Sequence, residues 1–291
     1  MKTLTIVVPV TKMAGKLQNM SSWLSEAKNF DVRVMIVHDC QDENTSDELK
    51  KLIDKMEDVD ISYFEMQLGS PGLARNQGLF HANSSWIMFV DSDDFVDLEQ
   101  VFFLIRHSGH SQQILIGNYS IAIGDNSVAR PMTKKTRNKF DVAMNPGLWR
   151  IIFPLKFAQE HQFTSLRMGE DQEYLLGLDI FSQDILFLNK LVYTYYTHNP
   201  MQLTSNRKAI SELSHVIPLT FMYLKKSAVK SGFYISVVLI RQILTELKNH
   251  SGSKYELLKR RLRDFRKLSL FKQLQFTFAI FIFIWKKIFN A

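Results

Sequence analysis

Short apolar runs alternate with amphipathic stretches through the first third of this chain, and that alternation constrains its fold more than any other feature. The apolar runs are rich in Val, Ile and Met, whereas the stretches between them carry apolar residues at helical spacing. Strands that alternate with helices form a mostly parallel sheet, whose functional loops lie along one edge. The predicted strands are Leu4 to Pro9, Val32 to Val37, Ile61 to Met66 and Trp86 to Val90.

The fourth predicted strand ends in the acidic tetrapeptide Asp91-Ser92-Asp93-Asp94. Parallel strands deliver ligand-binding groups just beyond their carboxyl ends. Two carboxylates separated by one residue can hold a hard divalent cation against a diphosphate. The structural alternative is an acidic turn in which Asp94 or Asp97 caps the helix that begins near Leu98. The strands and helices upstream favour the metal-site interpretation.

Several blocks along the chain resemble, in order, those of the inverting family 2 glycosyltransferases, which have the GT-A fold. Each block alone is weak, but their order and spacing over roughly residues 3 to 205 are specific. The blocks are Ile6 to Val10, Val37 to Thr45, Pro71 to Gly78 with its Ala-Arg-Asn core, Asp91-Ser92-Asp93, Gly169-Glu170-Asp171 and Tyr195-Tyr196-Thr197-His198.

The resemblance implies an α/β fold of the GT-A type, a Rossmann-like and mostly parallel sheet flanked by helices. A C-terminal helical, basic amphipathic extension is predicted to follow. Residues 1–205 would form the catalytic domain, with the nucleotide-sugar-binding half over about 1–95 and the acceptor half over about 96–205. Residues 206–253 would form a helical extension, and residues 254–291 a basic and aromatic tail that associates with a membrane.

The resemblance also gives the acidic block and Arg75 expected roles at a nucleotide-sugar site. Asp93 is expected to hold Mn²⁺ or Mg²⁺ against the diphosphate, with Asp91 directed toward the ribose and Ser92 beside it. Arg75 would add a fixed positive charge and a planar fork of donors near the phosphates. The alternative for Arg75 is a surface arginine at the start of a helix.

The ends of the first two strands complete the expected donor site. Pro9 and Val10 are expected to contact the nucleotide sugar. Asp39 is expected to accept a hydrogen bond from a uracil ring, against the alternative that it caps the next helix. The loop after Asp39 departs from the family pattern, because Cys40 replaces a turn glycine and Gln41 a serine. Glycine permits backbone geometry that cysteine disfavours, so a different loop path and a different base stay open.

Inverting transfer requires a base that removes a proton from the acceptor hydroxyl. Asp171 matches the carboxylate of the family's base block and is the predicted catalytic residue. The alternative is that acidic residues in this first helical turn serve the helix dipole alone. His198, after the strand-like run Leu191 to Tyr196, is expected to be a second metal ligand. The alternative is an ordinary polar loop residue.

All of the net positive charge lies in the C-terminal tail. Residues 254–291 carry ten Lys or Arg and two acidic residues, a net charge of +8, whereas the whole chain has +7. Gln273 to Trp285 is uncharged and rich in Phe and Ile, but it is shorter than the roughly 20 apolar residues that span a bilayer. This pattern predicts peripheral contact with an anionic inner leaflet, and packing on the catalytic domain or an oligomer contact are the alternatives.

Composition places the expected enzyme in the cytoplasm, on the inner face of the cell membrane. A single cysteine excludes an internal disulfide, and the first residues lack the pattern of a signal peptide. No recognised nucleic-acid motif accompanies the basic tail, so no nucleic-acid partner is expected.

The resemblance implies a metal-dependent inverting hexosyltransferase, with an expected place in bacterial capsule, O-antigen or lipopolysaccharide synthesis. It would move one sugar from a nucleotide-diphosphate sugar, in the first instance a UDP-hexose, to a saccharide or lipid-linked acceptor. Family members that polymerise and export a chain generally carry a Q-x-x-R-W block and spanning helices, and this sequence shows neither. The alternatives are a metal-dependent nucleotidyltransferase and a non-catalytic, membrane-associated protein with the GT-A fold.

Overall fold

A computed structural model describes residues 2–12, 17–39, 43–123, 132–197 and 212–289. The chain divides into two compact units. The first unit comprises Met1–Arg137, Leu148–Ser165 and Asp184–Pro200, and the second comprises Asn138–Gly147, Leu166–Gln183 and Met201–Ala291. The domain boundaries expected from the sequence stay a prediction.

A mixed sheet forms the first unit, and its described strands number nine. They are β1 (Lys2–Val10), β2 (Val32–Asp39), β3 (Ile61–Met66), β4 (Ser84–Phe89), β5 (Phe95–Val96), β6 (Ile114–Ile123), β7 (Met132–Lys134), β8 (Ile151–Pro154) and β9 (Ile185–Thr197). Their order is β3-β2-β1-β4-β8-β6-β9-β5, with β7 paired to β6. Strands β3, β2, β1 and β4 run parallel, and β8 lies antiparallel between β4 and β6.

Helices alternate with the first strands and dominate the second half of the chain. They are α1 (Leu17–Glu26), α2 (Glu43–Asp54), α3 (Pro71–His81), α4 (Leu98–Arg106), α5 (Lys139–Met144), α6 (Leu155–Ala158), α7 (Glu170–Gly177), α8 (Leu213–Lys226), α9 (Val229–Asn249), α10 (Lys254–Arg266) and α11 (Leu270–Phe289). The predicted α/β architecture with C-terminal helices is confirmed.

Close packing of α3 against β1 fixes the centre of the first unit. Strand β1 is buried from Leu4 to Val10, as expected for a central parallel strand covered on both faces. Gly78 of α3 lies directly over Val7, because a Cβ atom at Gly78 would be 2.3 Å from Val7 Cγ1. The helix can approach β1 this closely only where it carries no side chain.

Helix α9 is the centre of the second unit and packs against α5, α8 and α11. A buried ion pair joins α9 to α10, with Arg261 Nε donating to Glu246 Oε2 at 2.8 Å. None of the helices in the described ranges has the length and apolar content needed to cross a bilayer.

Candidate active site

The carboxyl ends of β2, β1 and β4 bring the predicted donor-site residues to one edge of the sheet. Val10 is paired with His38 across β1 and β2, and Val7 is paired with Phe89 across β1 and β4. The Val90 N–H donates to the Val7 carbonyl at 3.0 Å, just before the acidic tetrapeptide. The ends of these three strands therefore place Pro9, Val10, Asp39 and the acidic loop along a common edge.

The acidic tetrapeptide forms a tight turn after β4. The Asp94 N–H donates to the Asp91 carbonyl at 3.1 Å, and Asn19 Nδ2 of α1 donates to the Asp93 carbonyl at 2.9 Å. Asp97 caps α4, because its side chain accepts from the Gln100 N–H at 3.0 Å. The capping alternative therefore holds for Asp97, and Asp94 has a different role.

Asp94 anchors the acidic loop to β9. Its carboxylate is fully buried and accepts from the Tyr193 hydroxyl at 2.7 Å and from the Tyr196 N–H at 2.8 Å. The Tyr193 oxygen also accepts from the Asp91 N–H at 3.2 Å. Burial, and then the charges of Asp93 and Asp91, raise the pKa of Asp94 well above its usual value, although both hydrogen bonds oppose this shift. Sequence reasoning did not find this role, because the partners lie about a hundred residues away.

Aromatic packing holds Tyr193 in place. The ring of Trp149 stacks on Tyr193 with centroids 4.8 Å apart and on Tyr195 at 6.0 Å. The guanidinium of Arg150 lies 5.1 Å from the Trp149 ring. Burial is the largest cause that raises the pKa of Tyr193, and the nearby carboxylates raise it further. The hydroxyl therefore stays protonated and able to donate to Asp94.

Arg75 faces the acidic loop from α3. Its Nη2 donates to Asp91 Oδ1 at 2.9 Å, and its guanidinium lies 5.6 Å from the Phe163 ring centroid. Only 5% of Arg75 is exposed, which does not fit the alternative of a surface arginine. The pair fixes one carboxylate oxygen of Asp91 and places a permanent positive charge beside the loop.

Asp39 organises the loop that precedes α3. Its carboxylate is buried, and its two oxygens accept from the Leu68 N–H at 2.8 Å and the Gly69 N–H at 2.7 Å. Gly69 has a φ of 76°, a backbone conformation that suits glycine. Asp39 thereby connects the end of β2 to the helix that carries Arg75. Cys40 and Gln41, which depart from the family pattern, lie outside the described residues.

Asp171 belongs to the second unit, at the start of α7. Gly169 precedes the helix with a φ of 85°, and a Cβ atom there would be 2.8 Å from Val216 Cγ2. Asp171 Oδ1 accepts from the Gln172 N–H at 2.8 Å. The neighbouring Glu173 is buried and accepts from the Tyr223 hydroxyl at 2.5 Å. Glu173 is therefore held inside the protein by a hydrogen bond, whereas the side chain of Asp171 is only half-buried.

The acidic loop offers the ligand chemistry of a hard divalent cation. Asp91 and Asp93 present carboxylate oxygens, which Mg²⁺ and Mn²⁺ prefer. Across the described ranges, no three His, Cys, Asp or Glu side chains come together as a metal-binding group. His198, the other predicted ligand, lies outside the described residues. The donor set fits a cation that shares its coordination with a bound phosphate ligand.

The fold and this sheet edge define the class of protein. The model of Glycosyl transferase family 2 matches residues 5–164, more than half of the chain, and the chain belongs to that family. The residues that carry the sequence resemblance up to Asp93 lie within this match. The family membership predicted from the sequence is confirmed.

The curated relatives include glycosyltransferases of Streptococcus pneumoniae and Staphylococcus aureus. The chain is 23% identical over 212 residues to Glycosyltransferase GlyA of Streptococcus pneumoniae serotype 4, covering 66% of this chain and 30% of the relative. It is 24% identical over 214 residues to the poly(ribitol-phosphate) beta-N-acetylglucosaminyltransferase TarS of Staphylococcus aureus, covering 68% of this chain and 36% of the relative. The chain thus spans about a third of the length of these curated relatives.

Solved structures share the fold. The structure of S. aureus TarS 1-349 in complex with UDP-GlcNAc matches with a TM-score of 0.60 and 18% identity, over 97% of this chain and 80% of that one. The mannosyltransferase PcManGT of Pyrobaculum calidifontis, in complex with GDP-Man and Mn²⁺, matches with a TM-score of 0.58 and 11% identity, over 98% and 88%. These likenesses confirm the predicted GT-A fold.

Proposed function

We propose that this protein is an inverting glycosyltransferase that moves one sugar from a nucleotide-diphosphate sugar to a saccharide or glycolipid acceptor. The observation that carries the proposal is the Arg75–Asp91 pair at the carboxyl edge of the sheet, next to Asp93. Membership of Glycosyl transferase family 2 supports the reaction class. The name of GlyA supports sugar transfer, and the name of TarS, a poly(ribitol-phosphate) beta-N-acetylglucosaminyltransferase, supports a polymer acceptor of the kind that bacterial surface-polysaccharide synthesis would supply.

The proposed donor is a UDP-hexose. A relative of the same fold has been solved with UDP-GlcNAc, which supports a uridine nucleotide. Asp39 would contribute to base recognition, because a carboxylate oxygen that accepts one backbone N–H retains capacity for a further donor. Pro9, Val10 and Ser92 would form the surrounding contacts. The fixed Leu68–Gly69 loop would keep Asp39 in place during donor exchange.

Charge neutralisation at the diphosphate would come from Arg75 and from a divalent cation. Asp93 and His198 would hold Mn²⁺ or Mg²⁺, which supplies positive charge to the departing diphosphate when bound. The mannosyltransferase of the same fold was solved with Mn²⁺, which supports this choice. Arg75 holds Asp91 through Oδ1, and Oδ2 would accept from the ribose or from metal-bound water. Because Asp94 ties the loop to β9, these groups would be ordered before the donor arrives.

Asp171 would act as the base. It would take the proton of the acceptor hydroxyl while that oxygen bonds to the anomeric carbon and the bond to the diphosphate breaks. Attack on the face opposite the leaving group inverts the anomeric configuration. The Gln172 N–H, which donates to Asp171 Oδ1, would orient the carboxylate. Peripheral contact of the tail with the inner face of the membrane would bring the enzyme to a lipid-linked acceptor.

Calorimetric titration of UDP and GDP tests the donor site. UDP is expected to bind the wild-type protein with Mn²⁺, and chelation or Asp93→Asn should weaken binding by at least about tenfold, the effect of losing one metal ligand or its charge. GDP should bind more weakly than UDP. Absence of nucleotide binding under every condition would overturn the proposal in favour of a non-catalytic, membrane-associated protein with the GT-A fold.

Substitution of Asp171 tests the chemistry separately. Asp171→Asn should lower the rate of sugar transfer by about 10²- to 10⁴-fold, the usual contribution of a general base, while UDP affinity stays within about twofold. The matched control is Glu173→Gln, which alters a neighbouring carboxylate that is bonded to Tyr223. Equal losses in the two variants would contradict the assignment of Asp171 as base.

A further inference from the structure

Helix α11 has two apolar faces, and the protein covers only one of them. Phe276, Ala279 and Phe283 are buried inside the second unit, to which α11 belongs. On the opposite side, apolar side chains spaced three and four residues apart form an exposed row that runs the length of the helix. We name this row the outer row, and its members are Phe271, Leu274, Phe278, Phe281, Trp285 and Ile288.

Exposure in the outer row is large. Phe281 is 68% exposed, Leu274 62% and Trp285 55%, in a chain whose other large apolar residues mostly form cores. Contiguous exposed apolar surface of this kind marks an interaction site. The outer row is therefore expected to bind a partner.

Helix α10 repeats the pattern and adds charge. Tyr255, Leu258 and Leu262 form a second exposed apolar row at the same spacing. On a helical wheel the exposed cations Lys259, Arg263 and Arg266 lie directly beside this row. Packing of Phe265 against Phe276, with ring centroids 5.5 Å apart, joins the two helices.

The positive charges beside the exposed rows indicate which kind of partner binds them. In α11, the uncharged run that forms most of the outer row is followed by Lys286 and Lys287, whose ammonium groups lie 4.2 Å and 5.3 Å from the Phe140 and Phe283 ring centroids. The exposed cations beside the apolar rows are therefore chiefly those of α10. A second copy of this chain laid along these rows would bring cations against cations. An anionic lipid surface instead accepts apolar side chains below its headgroups and cations among them. We infer that the exposed rows of α10 and α11 together form a docking surface for anionic lipid bilayers. This inference specifies the membrane contact within the proposed function.

Binding to lipid vesicles tests this inference without any substrate. The full-length protein should co-sediment with vesicles containing phosphatidylglycerol and bind pure phosphatidylcholine vesicles at least about tenfold more weakly, and added salt should weaken binding to the anionic vesicles. Binding should shift the tryptophan emission to the blue, and Trp285→Phe should abolish that shift, since the other three tryptophans, Trp23, Trp86 and Trp149, belong to the first unit and not to the outer row.

Two pairs of variants separate the apolar and electrostatic contributions. Phe281→Asp should lower the partition coefficient by at least about tenfold, because it places a charge in the inserted face. Phe80→Asp is its control, since Phe80 is an exposed aromatic residue of α3. Lys259→Glu with Arg263→Glu should lower anionic binding by a similar factor. Lys51→Glu with Lys55→Glu reverses two exposed charges elsewhere and should leave binding unchanged.

Two outcomes would overturn the inference, namely absence of binding to anionic vesicles and equal binding to both vesicle types. Absence of vesicle binding could also come together with a dimer that Phe281→Asp dissociates. The last outcome would assign the outer row to a contact between copies of the chain. Nucleotide binding is measured in solution, so failure of the donor site and failure of the lipid surface remain distinguishable.

Discussion

The hydroxyl of Tyr193 connects the two ends of the acidic loop, because it donates to Asp94 and accepts from the Asp91 N–H. Tyr193→Phe removes both interactions and leaves a buried carboxylate with one donor fewer. We expect a loss of about 1–3 kcal/mol in the free energy of unfolding, the usual cost of leaving a buried polar group without one of its partners. UDP affinity with Mn²⁺ should fall by about tenfold, because a shift in loop position weakens oriented contacts. Urea denaturation and calorimetry measure the two effects.

Tyr223→Phe is the matched control at the residue scale. It also removes a hydroxyl that donates to a buried carboxylate, that of Glu173, but it does so in the second unit. Stability should fall comparably while UDP affinity stays unchanged. A Tyr193→Phe variant that is less stable but binds UDP normally would show that Tyr193 supports the fold without positioning the donor site.

Short sequence motifs indicated some of the candidate site residues and gave no sign of others. Arg75, Asp91 and Asp93 belong to short blocks with a recognisable order, so the sequence predicted their proximity. The bond between Asp94 and Tyr193 joins positions 99 residues apart, and nothing near either residue signals it. From the residues around it, Asp94 could be interpreted only as a helix cap. In the structure, Asp97 caps the helix instead. Long-range polar contacts of this kind depend on strand order, which the sequence did not specify.

At the scale of elements, the packing of α3 against β1 sets the position of Arg75. Gly78→Ala would place a Cβ atom 2.3 Å from Val7 Cγ1, and the stiff valine side chain cannot rotate away without strain. Helix α3 must therefore shift. We expect a destabilisation of about 1–3 kcal/mol, as for other overpacked cores, together with weaker UDP binding. Thermal unfolding and titration of the same samples measure both quantities.

Gly232→Ala in α9 is the control for this substitution. Its Cβ atom would meet side-chain ends, Gln275 Oε1 at 2.5 Å, Lys272 Nζ at 2.7 Å and Ser227 Oγ at 2.9 Å, and not a branched core side chain such as Val7. Those side chains can move, so the destabilisation should be smaller, and UDP binding should not change. Weaker UDP binding in Gly232→Ala but not in Gly78→Ala would contradict the assigned role of α3.

Strand prediction succeeded where burial on both faces produces continuous apolar runs. Strands β1, β2 and β4 are of this kind. The edge strand β3 is only half-buried, yet Ile61–Met66 matches its predicted bounds. Strand β8, Ile151–Pro154, was not predicted, although it pairs with both β4 and β6. Four apolar residues ahead of a short helix carry no periodicity that separates strand from helix. The half of the sheet beyond β4 was therefore the part that sequence patterns described least well.

At the scale of the whole molecule, charge and apolar surface are concentrated in the same C-terminal segment. The sequence alone showed the excess charge of residues 254–291. It could not show which apolar residues stay exposed, because α11 has apolar side chains on both its buried and its exposed faces. Exposure follows from the packing of α11 against α9, a tertiary contact. One face of α11 is thus part of the core of the second unit, and the opposite face is exposed surface.

A double variant tests whether this surface serves catalysis. Phe281→Asp with Trp285→Asp should lower the initial rate of transfer to a lipid-linked saccharide in anionic vesicles by about tenfold or more, because docking raises the effective concentration of the acceptor. The rate with the same saccharide released from its lipid should not change, since neither residue belongs to the proposed donor or base groups. Comparison of the two rates in the wild type and the variant therefore isolates docking from chemistry. Equal losses with both acceptors would show instead that the outer row supports the fold of the catalytic protein, and the membrane contact would then have no part in transfer.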